Sequence, residues 1–105
     1  MRTFILTICL FLAACQQETV VSVTEQTQRV ERARKNLQVE RTRLTELQDS
    51  LAVRIAENID LGMSPDAAES TERARIQIQK TVVDASQSNL THQEELLALM
   101  KSGGR

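Results

Sequence analysis

Few residues of this chain could take part in covalent or acid–base chemistry. The chain has two cysteines, Cys9 and Cys15, and one histidine, His92. A thiolate is a nucleophile and a metal ligand, but one histidine with scattered carboxylates does not supply the ligand set of a zinc site. Glu94 and Glu95 are adjacent, so on a helix they point in different directions, as on a solvated face. We therefore predict no catalytic residue, no metal ion, no cofactor and no enzyme activity.

The segment before Cys15 has the order of regions that is found in secretory signal peptides. A basic Arg2 precedes a mostly apolar run over 3–14, which is shorter than the roughly 20 helical residues that span a bilayer. The run ends at Leu12-Ala13-Ala14-Cys15, and polar residues follow at once. This sequence resembles the lipobox of bacterial lipoproteins, in which small residues precede an invariant cysteine.

The resemblance implies cleavage between Ala14 and Cys15 and a diacylglycerol on the thiol of Cys15, with a further acyl chain on the new amino group. Residues 1–14 are then a signal peptide, and Cys9 is lost with them. Several acyl chains hold a protein firmly to a bilayer. Because Gln16 and not Asp follows the cysteine, the resemblance also implies the periplasmic face of the outer membrane. The periplasmic face of the inner membrane is the alternative.

The composition of the remaining chain predicts an all-α fold. Phe4 and Phe11 are the only aromatic residues of the whole chain, so the part after Cys15 has no aromatic ring for a compact core. Between residues 16 and 100 there is a single Pro, Pro65, and a single Gly, Gly62. Long helices with a narrow apolar seam fit this composition better than sheets with many turns.

A first helix is predicted over 23–60, after a tether at 15–22. Apolar residues recur at intervals of seven from its first residue, and they form one stripe because seven residues are nearly two helical turns. This stripe consists of Val23, Val30, Leu37, Leu44 and Leu51.

The segment 61–64 is predicted to be a turn between two helices. Gly62 can adopt positive φ and end the first helix, Ser64 is a suitable N-cap, and Pro65 suits a first helical position. The second helix is predicted over 65–101, and 102–105 is expected to be a flexible tail. Its stripe, again at intervals of seven, consists of Ile76, Val83, Leu90 and Leu97.

Together the two stripes favour an antiparallel two-helix coiled-coil hairpin; an extended coiled coil that oligomerises is the alternative. Folding the chain back at 63–64 sets Leu51 opposite Ile76 and continues in phase along both stripes. For the second column of the seam we favour Thr27, Arg34, Arg41, Gln48 and Ile55, facing Met100, Gln93, Ser86, Gln79 and Glu72. The other choice sets Arg54 against Arg73, and like charges oppose pairing. Since only one column is apolar, self-association or a partner helix is expected to cover the leftover apolar residues.

Six basic residues lie close together in the first helix with only two acidic neighbours. They are Arg29, Arg32, Arg34, Lys35, Arg41 and Arg43. A solvated helix face with pairs four residues apart explains them; a patch that binds an anionic envelope polymer or an acidic partner is the functional alternative. The formal net charge of the chain, −1, and the lack of stacking aromatics disfavour nucleic acid.

The features together predict a lipid-anchored envelope protein with a helical periplasmic rod and a structural or protein-interaction role. Its expected partners are the membrane, through the acyl chains, and either a second copy or a helical envelope protein; no small-molecule substrate is expected. A phage or plasmid lysis lipoprotein, similar to an outer-membrane spanin subunit, is one alternative. An accessory subunit of a secretion or transport complex is another.

Overall fold

A computed structural model describes residues 21–103, and they form three α-helices and no strand. Helix α1 spans Val23–Asp49, α2 spans Leu51–Asp60 and α3 spans Pro65–Gly103. The prediction of an all-α fold is confirmed for this part of the chain. The body is elongated, about 59 Å long, which matches the length of the 39 residues of α3 at a rise of about 1.5 Å each.

Several predicted features lie outside the described residues. These are the signal peptide over 1–14, Cys15 with its cleavage site, and most of the tether. The described chain begins just before α1, where Ser22 is the N-cap. Its Oγ accepts a hydrogen bond from the backbone N–H of Glu25 at 3.1 Å, which satisfies one of the free donors of the first turn.

The single helix predicted over 23–60 is interrupted at Ser50, which separates α1 from α2. The backbone of Ser50 has φ −95° and ψ 5°, away from α-helical values. Its Oγ donates a hydrogen bond to the carbonyl oxygen of Glu46 at 2.7 Å and accepts one from Nε of Arg54 at 3.0 Å. A serine hydroxyl that bonds back to the carbonyl four residues earlier can bend a helix, but Thr42 and Thr45 make the same bond within the unbroken α1, so at Ser50 this bond accompanies the break and does not explain it alone.

The turn between α2 and α3 is closed by backbone hydrogen bonds around Gly62. Gly62 has φ 101°, and its N–H donates to the carbonyl of Ile59 at 2.9 Å. The N–H of Met63 donates to the carbonyl of Asn58 at 3.0 Å, so the last carbonyls of α2 find partners. Helix α3 then starts at Pro65, and Oγ of Ser64 accepts from the N–H of Ala67 at 3.2 Å.

Replacing Gly62 by Ala is expected to lower the free energy of unfolding by about 1–2 kcal/mol, because an L-residue is strained at positive φ. An added Cβ meets nothing within 4 Å, so the loss comes from the backbone alone. Urea denaturation followed by circular dichroism measures it. Gly103→Ala is the control, since Gly103 also has open space but no positive φ. Equal losses in both variants would contradict the role assigned to Gly62.

Both α1 and α2 pack against α3, and the apolar contact between α1 and α3 is narrow. The buried cluster there consists of Val30, Ala33, Leu37 and Leu90, with Val83 and Leu97 packed against it. Ala68, near the start of α3, is also fully buried. At its other end α3 continues to Gly103, two residues beyond the predicted boundary, so the first half of the predicted tail is helical.

Candidate functional site

The residues predicted for the seam differ in how far they are buried. Val30, Leu37 and Leu90 are buried. The half-buried ones are Leu44, Leu51, Ile76, Val83 and Leu97. Val23 is 41% exposed and lies outside the contact, because α1 has only just begun there and Gln26 is its first buried residue.

The second column of the α1 seam is not the one that the sequence favoured. Of the predicted column, four residues are exposed and only Ile55 is half-buried. The observed column lies one position earlier and consists of Gln26, Ala33, Glu40, Leu47 and Arg54. It leaves Arg34 and Arg41 in solvent, where a charge costs least, and brings the small Ala33 into the contact. On α3 the predicted column, from Glu72 to Met100, is buried or half-buried.

The two arginines that argued against this column, Arg54 and Arg73, each have a partner on their own helical arm. Nε of Arg54 donates to Ser50 on its own side, at 3.0 Å. Nε of Arg73 instead donates to Oε1 of Glu69, one turn earlier on α3, at 2.9 Å. Each guanidinium therefore has a local partner. The prediction from the sequence considered only the repulsion between Arg54 and Arg73 and not these local hydrogen bonds.

Two glutamines connect α1 with α3 by paired hydrogen bonds. Nε2 of Gln26 donates to the backbone carbonyl of Gln93 at 2.9 Å and to its Oε1 at 2.7 Å. In the same way, Nε2 of Gln79 donates to the backbone carbonyl of Glu40 at 2.9 Å and to its Oε2 at 2.7 Å. From the first pair to the second, the residue number rises from 26 to 40 along α1 and falls from 93 to 79 along α3. Such satisfied polar contacts fix the register of two helices more sharply than apolar contacts alone.

The register set by the glutamines differs from the predicted one by about one heptad. The prediction sets Gln26 opposite Lys101 rather than Gln93. It assumed two straight arms, but between Glu40 and Asn58 the first arm advances 18 residues while its contacts on α3 move only from Gln79 to Glu72. Arms of such unequal length cannot run straight side by side, and the helix break at Ser50 lies within this interval.

Glu72 is a buried carboxylate at the contact between α2 and α3, with 3% of its surface exposed. Its Oε1 accepts a hydrogen bond from Nδ2 of Asn58 at 2.9 Å and lies 3.9 Å from Nε of Arg75. No buried side-chain nitrogen or oxygen within 21–103 lacks a hydrogen-bond partner. The sequence placed Glu72 in the second column of the seam but did not signal its pairing with Asn58.

All six residues of the predicted basic patch are exposed on α1. Arg34 pairs with Glu31 at 2.9 Å and Arg43 with Glu40 at 3.0 Å, both one turn apart. Nη2 of Arg41 donates across the helices to Oε1 of Gln87 at 3.0 Å. Half of the patch is therefore engaged in contacts with other side chains, and the two ion pairs contribute little stability at an exposed surface.

The other half of the patch consists of Arg29, Arg32 and Lys35. In the portion of the chain described, no carboxylate lies within 4.0 Å of their charged groups. They occupy neighbouring positions on successive turns of α1, and this concentrates positive charge near the start of the helix. The surface suits an anionic partner group.

No known protein family, curated protein or solved structure matches this chain.

The remaining chemistry-bearing residues of the described part, His92, Glu94 and Glu95, are exposed on α3. No group of three or more His, Cys, Asp or Glu residues within 21–103 is placed to hold a metal ion. None of the three helices is both long and apolar enough to cross a bilayer.

Apolar side chains lie outside the seam on all three helices. Among those with large exposed surfaces are Val39, Val53, Leu61, Ile78, Val82 and Leu99. Single exposed apolar residues are common on protein surfaces, but Ile78 and Val82 lie one turn apart on the same face of α3. The arrangement as a whole therefore offers contact surfaces along a rod.

Proposed function

We propose that this chain is a lipid-anchored protein of the bacterial envelope with a structural or protein-interaction role. The observation that carries the proposal is the lipobox-like sequence that ends at Cys15, placed after a short apolar run and before a polar segment. Cleavage before Cys15 would leave a helical body whose only link to the membrane is the acylated residue. The body acts by binding and not by catalysis.

In the same proposal the helical body is an antiparallel two-helix coiled-coil hairpin, whose first arm is bent at Ser50. Two hydrogen-bonded pairs support this, Gln26 with Gln93 and Gln79 with Glu40, because their order reverses between the helices. The buried apolar residues between these pairs support it as well. The start of α1 and the end of α3 then lie together at the membrane end, and the Gly62 turn forms the distal tip.

The proposed rod stands close to its membrane. Seven residues separate Cys15 from the first residue of α1, and a fully extended chain of that length spans at most about 25 Å. The rod itself extends about 59 Å from that point. Gln16 after the cysteine favours the periplasmic face of the outer membrane, so the tip would reach into the periplasm.

Replacing Cys15 by Ser in the full chain is expected to abolish incorporation of a labelled fatty acid and to leave the longer, uncut precursor. A hydroxyl in place of the thiol cannot form the thioether on which processing depends. Gel mobility and label recovery in bacterial cells measure both effects, and mass spectrometry of the parent chain locates the lipid.

Cys9→Ser is the matched control, because Cys9 lies within the part that the proposal assigns to the signal peptide. That variant should be cut and labelled like the parent chain. Normal cutting and labelling of the Cys15→Ser chain would refute the lipid anchor. If the Cys9→Ser chain were neither cut nor labelled, the assignment of the cleavage site between Ala14 and Cys15 would be refuted.

A further inference from the structure

Helix α3 carries a second row of residues at coiled-coil spacing, separate from the seam that faces α1. The outer stripe consists of Ile78, Val82, Ala85, Asn89, His92, Leu96 and Leu99. Their separations alternate between four and three residues without interruption, which is the spacing of a seam between two helices. Ile78 is 65% and Leu99 66% exposed, so large apolar surfaces at both ends of the stripe are left uncovered.

The outer stripe lies on one side of the hairpin. Each of its members directly precedes a seam residue of α3, so the stripe is turned by about 100° from the seam. Arg41 on α1 and Gln87 on α3 each directly follow a seam residue. They form a 3.0 Å hydrogen bond with each other, so the residues that follow seam residues lie on the opposite side of the hairpin. The side chains of α1 that directly precede its seam residues therefore share a side with the stripe. Arg29 and Arg32 are two of them.

We propose that a second copy of this chain docks on the outer stripe, with the two α3 helices parallel and in register. The proposal deepens the proposed function, because it names the partner of the rod and rests on the antiparallel hairpin. In this arrangement each residue meets its counterpart. Four apolar levels, those of Ile78, Val82, Leu96 and Leu99, are then paired, and Ala85, Asn89 and His92 form the three levels between them.

The central polar residue is the reason why a second copy fits the stripe better than an unrelated apolar helix. Asn89 has an amide that needs a partner once water is excluded. The Asn89 of a second copy supplies that partner at the same level. A buried Asn at one seam position is known to fix the register and the number of helices, and the polar His92 at the next level also meets its counterpart in this arrangement. Oδ1 of Asn89 already accepts a hydrogen bond from Gln93 at 3.4 Å, but a partner helix with an apolar residue at this level would leave the Nδ2 donors of Asn89 unpaired.

Charge decides between parallel and antiparallel docking. The hydrogen bond between Gln26 and Gln93 places Arg29 alongside the region of Leu90. Antiparallel docking about Asn89 would bring Arg29 and Arg32 of both copies against each other. Parallel docking instead brings Arg29 toward the outer flank of the other α3, which carries Glu95. Side chains point toward the N-terminus of their own helix, so Arg29 and Glu95 converge at one level.

Parallel docking agrees with a common anchor. Two chains held in one membrane leaflet point the same way, so their α3 helices run in the same direction. A two-fold axis along the rods then relates the copies, and the same stripe serves both chains, as in a closed symmetric dimer.

Disulfide cross-linking of the full chain in its native membranes tests this arrangement. Val82→Cys and Leu96→Cys, each introduced alone, are expected to give a covalent dimer on mild oxidation, because each residue meets itself. In antiparallel docking Val82 faces Leu96, so only cells expressing the two variants together would give a dimer. That result, or no dimer in any combination, would overturn the proposal.

Gln77→Cys is the matched control for collisions in the membrane, since Gln77 is exposed on α3 away from the stripe. It should stay monomeric, and a dimer equal to that of Val82→Cys would count against the stripe. The parent chain controls for dimers formed through Cys15.

A second measurement is independent of cysteine chemistry. Val82→Asp should convert the detergent-solubilised full chain from dimer to monomer in analytical ultracentrifugation with helicity retained. Ala52→Asp should leave the dimer intact, because Ala52 is exposed on α2 and directly follows the seam residue Leu51, on the side of the hairpin away from the stripe. A dimer that withstands Val82→Asp overturns the stripe as the interface. Failure of the proposed lipid anchor alone would appear differently, as a Cys15→Ser chain that is cut and labelled like the parent chain while Val82→Cys still gives the covalent dimer.

Discussion

Replacing Leu37 by Asp is expected to separate α1 from α3 and to remove cooperative thermal unfolding. Leu37 belongs to the small buried cluster with Val30, Ala33 and Leu90, which is the main apolar contact between these helices. Truncating a buried Leu to Ala already costs about 2–5 kcal/mol, and Asp adds the cost of a buried charge. A seam this narrow has little stability in reserve, so the substitution should unfold it. Thermal melts followed by circular dichroism measure the effect.

Val53→Asp is the control for Leu37→Asp, because it makes the same kind of change at an exposed position of α2. It should shift the melting curve little, since surface substitutions usually change stability by less than about 0.5 kcal/mol. If Leu37→Asp and Val53→Asp melt alike, Leu37 is not part of a stabilising contact. A milder variant, Leu37→Ala, keeps the comparison measurable if the Asp variant is already unfolded at low temperature.

Replacing Asn58 by Leu is expected to lower the free energy of unfolding by about 1.5–3 kcal/mol, the range for hydrogen bonds to charged groups. The carboxylate of Glu72 is buried and accepts its closest hydrogen bond from Asn58. Without that donor, the nearest cation is Arg75 at 3.9 Å, and a buried charge is left poorly compensated. Urea denaturation of the parent and variant chains gives the difference.

The double variant Asn58→Leu with Glu72→Leu should recover most of the lost stability. Removing both partners of a buried polar pair is often nearly neutral, while removing one leaves the other unsatisfied. Asn36→Leu, at an exposed position of α1, controls for the change of residue type. Additive losses in the double variant would show that Asn58 and Glu72 do not interact.

The features that the sequence predicted well are those encoded locally. The turn residues Gly62, Ser64 and Pro65 each have a backbone preference that acts without tertiary contacts, and the structure has a turn there. The stripe of apolar residues at intervals of seven likewise depends only on helix geometry. It included Val30 and Leu37, which are buried. Helical state and the position of the turn could therefore be predicted from short-range rules.

The features that the sequence predicted poorly depend on side chains that meet across helices. The choice of second column depended on whether Arg54 has a local partner, and Ser50 supplies one. The register depended on Gln26 and Gln79, whose amides each bond a backbone and a side-chain oxygen at once. A pattern of apolar residues contains no information on such contacts, so a shift of one heptad preserves the pattern equally well. The hydrogen bond between Asn58 and the buried Glu72 was missed for the same reason.

The break at Ser50 divides the first arm into parts of unequal resistance to local opening. Helix α2 has 10 residues, none of them buried, whereas α1 contributes most of the buried cluster. A helix this short is marginal in water without its neighbour. Helix α2 can therefore detach from α3 and exchange its amide hydrogens at a lower free energy than α1. In the proposed arrangement, the half of the rod nearest the lipid anchor resists local opening. The half that ends at the Gly62 turn opens more easily, and it is the half that would meet a partner farther from the membrane.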